Sequence, residues 1–182
     1  MWSDENLIKT LKENGVVVMP TDTLYGIVGR AEDKEVVERI YKIRKRNSQK
    51  PCIILIGCMD ELQKFGVVLT PEQKREIKKH GEPTSFVLDC VDEKFAYLHR
   101  GAKTLAFRVP SPQSLQDLLI KTGPLIAPSA NLEDLSPAQT ISEAKKYFGD
   151  MVDLYVDGGK LAGKASKVIK LHRDSSVTII RV

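Results

Sequence analysis

The chain has 182 residues, a formal net charge of +4, 42% hydrophobic residues and 29% charged residues. This composition suits one soluble domain, residues 1–182, able to bury about two thirds of its unfolded surface. It excludes a membrane span, since no run approaches roughly 20 apolar residues, and the acidic opening MWSDENL excludes a secretory leader, so a cytoplasmic protein is expected.

Strand-like and helix-like segments alternate along the chain, which indicates an α/β domain. Ser3 can cap a helix running to about Glu13, ended by Asn14-Gly15. A strand follows at 15–19. Asp33 can cap a helix whose apolar face is Val36, Val37, Ile40, Tyr41 and Ile43. Residues 52–56 read as a buried strand and 60–65 as a short helix. Thr70-Pro71-Glu72-Gln73 has Pro in the first turn and a Gln in capping-box position, so a helix starts there, running to about His80 before Gly81. Residues 85–91 and 104–109 read as strands, with a short one at 96–98. Ser111-Pro112 opens a helix through Leu115, Leu118 and Leu119. Ile126-Ala127 ends a short strand. Thr140 can cap a helix to Phe148, with Glu143 in capping-box position. Segments 154–156, 167–171 and 177–181 complete the strands. Short Gly- or Ser-containing turns between the late strands imply antiparallel pairing, hence a twisted sheet of mixed parallel and antiparallel strands with flanking helices.

Cys52, Cys58 and Cys90 show no metal-ligand spacing and read as reduced and incidental, and His80, His99 and His172 match no ligand motif. The chain lacks the GxxxxGK[ST] and GxGxxG phosphate loops, and Gly158-Gly159 with Gly163 is too sparse to stand for either. The densest chemistry lies in Pro20-Thr21-Asp22-Thr23-Leu24-Tyr25-Gly26, where a β-branched run empties into a polar loop. Strand ends of α/β proteins are common ligand sites, although Thr and Asp also favour plain turns, here one leading into a helix. Lys42, Arg44, Lys45, Arg46 and Lys50 form a basic run that suits either phosphate contacts or a solvated helix end complementing the helix dipole.

Together with Phe107-Arg108-Val109-Pro110, Ala127-Pro128-Ser129-Ala130-Asn131 and Leu135-Ser136-Pro137, these segments resemble the YrdC-like family of threonylcarbamoyl-AMP synthases, in its short single-domain form, from about Gly15 to Arg181. The PTDTLYG and PSAN segments are the specific ones. The resemblance implies that L-threonine is carboxylated by bicarbonate or CO2 and that its carbamate attacks the α-phosphate of ATP, releasing pyrophosphate. It implies ATP contacts from Arg44, Arg46, Lys50, Ser85, Ser129, Asn131, Ser136 and Arg181, and threonine contacts from Thr23, Arg108, Ala127 and Ser166. Mg2+ would arrive on the ATP phosphates. A transferase component that carries the group to tRNA is the implied partner. No nucleophile–base pair is evident, so catalysis would rest on positioning and charge stabilisation.

The chain departs from the family pattern in several places. The family's Pro-Gly-Pro-hydrophobic-Thr is Gly81-Glu82-Pro83-Thr84-Ser85-Phe86 here, which adds a negative charge at Glu82. Its Lys-Gly-Arg-Pro is Arg44-Lys45-Arg46-Asn47, its Ser-Thr is Ser166-Lys167, and Leu55 stands where some members have histidine. Three other readings stay open. One is a non-catalytic module binding double-stranded RNA or tRNA through the basic run. Another is a carbamoyl-transfer enzyme of the hydrogenase-maturation type, which would need Cys clusters that this chain lacks. The third is a synthase acting on a different carbamate.

Overall fold

Backbone N–H groups left free at several helix starts are taken by the side chains that the sequence puts there. The protein is seen in a computed structural model that describes residues 1–81, 83–174 and 176–182. Helix α1 (Glu5–Lys12) is capped by Asp4, one residue later than expected, because the Asp4 carboxylate accepts from the Leu7 N–H. Asp33 caps α2 (Lys34–Arg44), and Thr70 with Gln73 forms the reciprocal capping box of α3 (Pro71–Ile77). That helix ends three residues before the expected His80. Thr140 caps α6 (Ile141–Phe148), whereas Glu143 reaches past it to the Gln139 N–H. The helix expected at 111–119 is α5 (Gln113–Thr122). Glu82 lies outside the described residues, so its added charge has no structural account.

The strands form one mixed sheet of nine in the order β7 (Leu154–Tyr155), β1 (Val17–Pro20), β2 (Tyr25–Arg30), β6 (Leu125–Ile126), β3 (Ile53–Leu55), β5 (Thr104–Arg108), β4 (Thr84–Asp89), β8 (Lys167–Leu171) and β9 (Val177–Arg181). The pairs β1/β7, β3/β5 and β4/β8 are parallel, and the other neighbours are antiparallel. The mixed sheet is as expected, with three corrections. First, β1 does not lead into a helix; the polar motif is the turn of a hairpin, and β2 runs straight back from Tyr25. Second, β7 joins the opposite edge from β8 and β9. Third, residues 96–98 lie in α4 (Ala96–His99), continuing a 3-10 turn at Glu93–Phe95 that Asp92 caps. A helical turn already started at Asp92 overrides the strand preference of so short a run.

Alternation along β1 divides the core. Val16 and Val18 face one layer with Tyr25, Ile27, Val36, Val37 and Ile40, while Val17 and Met19 face the other with Leu7, Leu11, Leu115, Leu118 and Leu119. Helix α2 therefore covers one face of the sheet, and α1 and α5 cover the other. Gly29 fixes how closely α2 can lie on β2, since a Cβ there would run into the Val36 side chain. Both atoms are held by packed secondary structure. Gly29→Ala is expected to destabilise the fold by about 1–3 kcal/mol, the range for overpacking, as read by urea unfolding; unchanged stability would show that α2 is free to shift.

Candidate active site

Thr21 builds the turn between β1 and β2. Its hydroxyl donates to the Leu24 carbonyl at 2.7 Å and accepts from the N–H groups of Thr23 and Leu24, each at 3.3 Å. The PSAN loop is joined to the start of β2. Ala130 N–H donates to the Tyr25 carbonyl at 2.8 Å, and Ile27 N–H to the Pro128 carbonyl at 3.0 Å. The end of α2, the end of β5 and the last two strands meet these loops around an open cavity of about 730 Å3. Such a volume is ordinary for a small-molecule site.

Eight of the twelve expected residues line this cavity: Thr23, Arg44, Arg46, Arg108, Ala127, Ser129, Ser166 and Arg181. The other four do not. Lys50 is exposed and pairs with Glu133 at 2.8 Å. The Ser136 side chain is exposed, and its carbonyl accepts from the Tyr147 hydroxyl. Ser85 is fully buried behind the wall, sharing a 2.9 Å hydrogen bond with the Ser166 hydroxyl. Asn131 supports the wall from behind, with every polar atom of its side chain already engaged.

Arg44 is only 2% exposed. Its Nε donates to the Asn131 carbonyl at 2.9 Å and its Nη2 to Asn131 Oδ1 at 3.0 Å, which ties the end of α2 to the PSAN loop. Ser129 donates to the same Oδ1 at 2.7 Å. Arg44 Nη1 is buried without a hydrogen-bond partner among the described residues. Burial, then the neighbouring Arg46, lowers the Arg44 pKa to about 10, so the group stays charged at neutral pH. Lys45 takes the left-handed conformation at φ 51° that ends α2, at the position where the family pattern has glycine. Arg46 follows. It is half-buried rather than on an exposed helix end, and it closes the loop by donating to the carbonyls of Lys50 at 3.2 Å and Pro51 at 3.0 Å.

At the other end, Arg108 Nη2 donates to Asp22 Oδ1 at 2.8 Å and to the Thr23 hydroxyl at 3.3 Å. This is a buried ion pair, in which Asp22 Oδ2 and Arg108 Nε have no further partner among the described residues. Arg181 donates twice to the Ser166 carbonyl, and burial followed by repulsion from Arg108 lowers its pKa.

Sequence reasoning missed two residues. Asp22 stood inside the motif but was given no role, although it was the single carboxylate among those hydroxyls. Tyr25 is fully buried; it accepts from Gly158 N–H and donates to the Gly159 carbonyl, each at 2.8 Å. It thereby fastens the chain leading to Ser166, and Gly163 lies against the Thr23 carbonyl with no room for a Cβ. Cys52 and Cys90 are buried and Cys58 half-buried, all three free. No group of His, Cys, Asp or Glu among the described residues is placed to hold a metal ion.

The family model named for Sua5, YciO and YrdC, described as telomere recombination, matches residues 9–182. The threonylcarbamoyl-AMP synthase of Bacillus subtilis is 30% identical over 175 residues, covering 93% of this chain and 50% of that protein. E. coli YciO is similar in structure with a TM-score of 0.82 and 28% identity, over 97% of this chain and 86% of that one. P. abyssi Sua5 complexed with L-threonine has a TM-score of 0.79 and 26% identity, over 91% of this chain and 50% of that one. The chain thus spans half the length of the Bacillus and P. abyssi proteins.

Asn131→Ala should strip Arg44 of its side-chain acceptor and leave buried partners unmatched, at a cost of about 1–3 kcal/mol for each orphaned group. Chemical denaturation reads the loss, and a stability equal to wild type would refute the tie between α2 and the PSAN loop.

Proposed function

The chain belongs to the Sua5/YciO/YrdC family, and from that premise we propose that it is a threonylcarbamoyl-AMP synthase, converting L-threonine, bicarbonate or CO2, and ATP into threonylcarbamoyl-AMP and pyrophosphate. The observation that carries the proposal is the gathering of Arg44, Arg46, Arg108 and Arg181 around one cavity. Burial, then a neighbouring arginine, lowers the pKa of Arg44 and of Arg181, and like charges held this close suit an anionic ligand. The anions of this reaction are a triphosphate and a carboxylate.

Arg44 and Arg46 hold the β- and γ-phosphates and stabilise the leaving pyrophosphate. Arg44 carries a free buried donor for this purpose, and Arg guanidinium matches phosphate oxygens bidentately. Ser129 brings little bulk to this end and donates to a phosphate oxygen by turning its hydroxyl away from Asn131 Oδ1. Arg108 takes the threonine carboxylate, and Thr23 and the backbone at Ala127 position the rest of the amino acid. Ser166 borders the threonine. Arg181, within electrostatic reach of Arg108, stands beside the α-phosphate. There the carbamate oxygen forms the new P–O bond and the bridging oxygen to pyrophosphate leaves. Ser85 acts indirectly by holding Ser166, Lys50 supports the loop that carries Arg46, and Asn131 holds Arg44 at the end of α2. The Mg2+ accompanying ATP is carried by its phosphates. The adenylate is sensitive to water, which favours passing it directly to a tRNA-modifying transferase partner.

The test is incubation of the purified chain with ATP, threonine and labelled bicarbonate, followed by detection of pyrophosphate and labelled adenylate. A chain that makes no adenylate but binds RNA tightly through residues 42–50, with a steep salt dependence, would overturn the proposal in favour of an RNA-binding module. Within the proposal, Arg46→Ala is expected to weaken ATP binding by about 1.5–3 kcal/mol, the range for hydrogen bonds to charged groups; calorimetry giving an unaltered affinity refutes its role. Arg108→Ala should raise the threonine requirement far more than the ATP requirement, and Thr23→Val should do so more weakly, because it removes one neutral hydroxyl. Steady-state kinetics in which both variants alter only ATP use would mean that the two subsites are reversed.

A further inference from the structure

We infer that Asp22 is a specificity-determining residue: by neutralising Arg108 it keeps polyphosphate out of the amino-acid end of the cavity and so fixes which end takes which substrate. The inference rests on the synthase reading. A guanidinium group donates to a phosphate oxygen as readily as to a carboxylate oxygen, so four arginines lining one continuous cavity do not by themselves tell the two substrates apart. Charge does, because the triphosphate carries several negative charges and the amino acid carboxylate one.

The neighbours of the four groups differ in charge. Arg44 is held by Asn131, which is neutral. Arg46 is held by the carbonyls of Lys50 and Pro51, and Arg181 by the carbonyl of Ser166. Among the described residues, Arg108 is the one of the four that pairs with a carboxylate, with the side chains of Arg108 and Asp22 just 5% and 2% exposed. The acid nearest the basic loop, Glu133, is felt by Arg44 and Arg46 but pairs directly with Lys50, whose charge offsets it. The end of the cavity formed by Arg44 and Arg46 therefore stays net positive, and the end formed by Arg108 has one cation cancelled by a direct ion pair. Charges this deeply buried interact strongly and are little screened by salt. Asp22 does not line the cavity; it acts through Arg108, whose guanidinium it also orients by fixing Nη2.

Asp22→Asn keeps the shape and the accepting oxygen and removes the charge. Calorimetry on the full chain, titrating threonine with and without saturating inorganic tripolyphosphate, reads the effect. In wild type the threonine affinity should be the same in both titrations. In Asp22→Asn it should fall about tenfold or more when tripolyphosphate is present, and in turnover ATP should become an inhibitor competitive with threonine. Asp22→Asn that binds threonine equally with and without tripolyphosphate, or loses threonine binding equally in both, overturns the inference while leaving the synthase reading in place. Wild type that binds neither ligand overturns both. Should Asp22→Asn fail to fold, the inhibition pattern of wild type decides: tripolyphosphate competitive against ATP alone supports the inference, and competition against both substrates refutes it.

Discussion

A guanidinium group that is 2% exposed must be held by something, and Arg44 is held by Asn131. Much of the site depends on that attachment. It brings the last turn of α2 to the PSAN loop, sets where Lys45 turns left-handed, and so aims Arg46 at the same cavity. The attachment uses a neutral partner, which orients the cation without cancelling it. A carboxylate in the place of Asn131 would bind Arg44 more tightly and leave less charge for a ligand. Removing cations from water is costly, and here the cost is borne by a site that meets its anion with donors already oriented, the form of stabilisation that phosphoryl chemistry most needs.

The far end of the cavity solves the same problem differently. Arg108 ends β5 between β3 and β4, and among the described residues a charge, the Asp22 carboxylate, holds it in place. Around it the polar groups form a connected set, from Asp22 through Arg108 and Ser85 to Ser166 and Arg181. This set links the first hairpin to the last strand. Tyr25 and Gly163 reinforce the link, fastening the irregular stretch before β8 onto the turn that carries Thr23.

What the sequence made legible, and what it hid, follows from the range of the physics involved. Caps are local chemistry, so Asp33, Thr70 and Thr140 could be read directly. Strand β2 was hidden because Gly26 and Gly29 spoil its alternation, and the second is required by Val36 of α2 packing over it, a tertiary contact that propensity does not see. The placement of β7 at the far edge is likewise set by contacts across the chain. The motif residues that reach the cavity were identifiable by resemblance. Lys50 and Ser136, which the resemblance also implied, point elsewhere because a loop turns its side chains over within a few residues. Asp22 was overlooked because its value lies in what it subtracts from Arg108, and no list of ligand-binding groups contains a term for that.

The order of strands in the sheet bears on how the molecule comes together in time. Strand β1 lies between β2, its immediate successor, and β7, which follows it by more than a hundred residues. The cavity wall likewise draws on residues from Thr21 to Arg181. Pairings this distant in sequence carry a loop-closure cost before they give any return, and they slow folding. During synthesis the first hairpin can form early, but one edge of β1 stays open until β7 has emerged, and the cavity stays incomplete until β9 is in place. The arginines are therefore assembled late. Until that point the basic run of α2 and its loop is a charged segment on a growing chain, apart from the strands that complete the cavity around it.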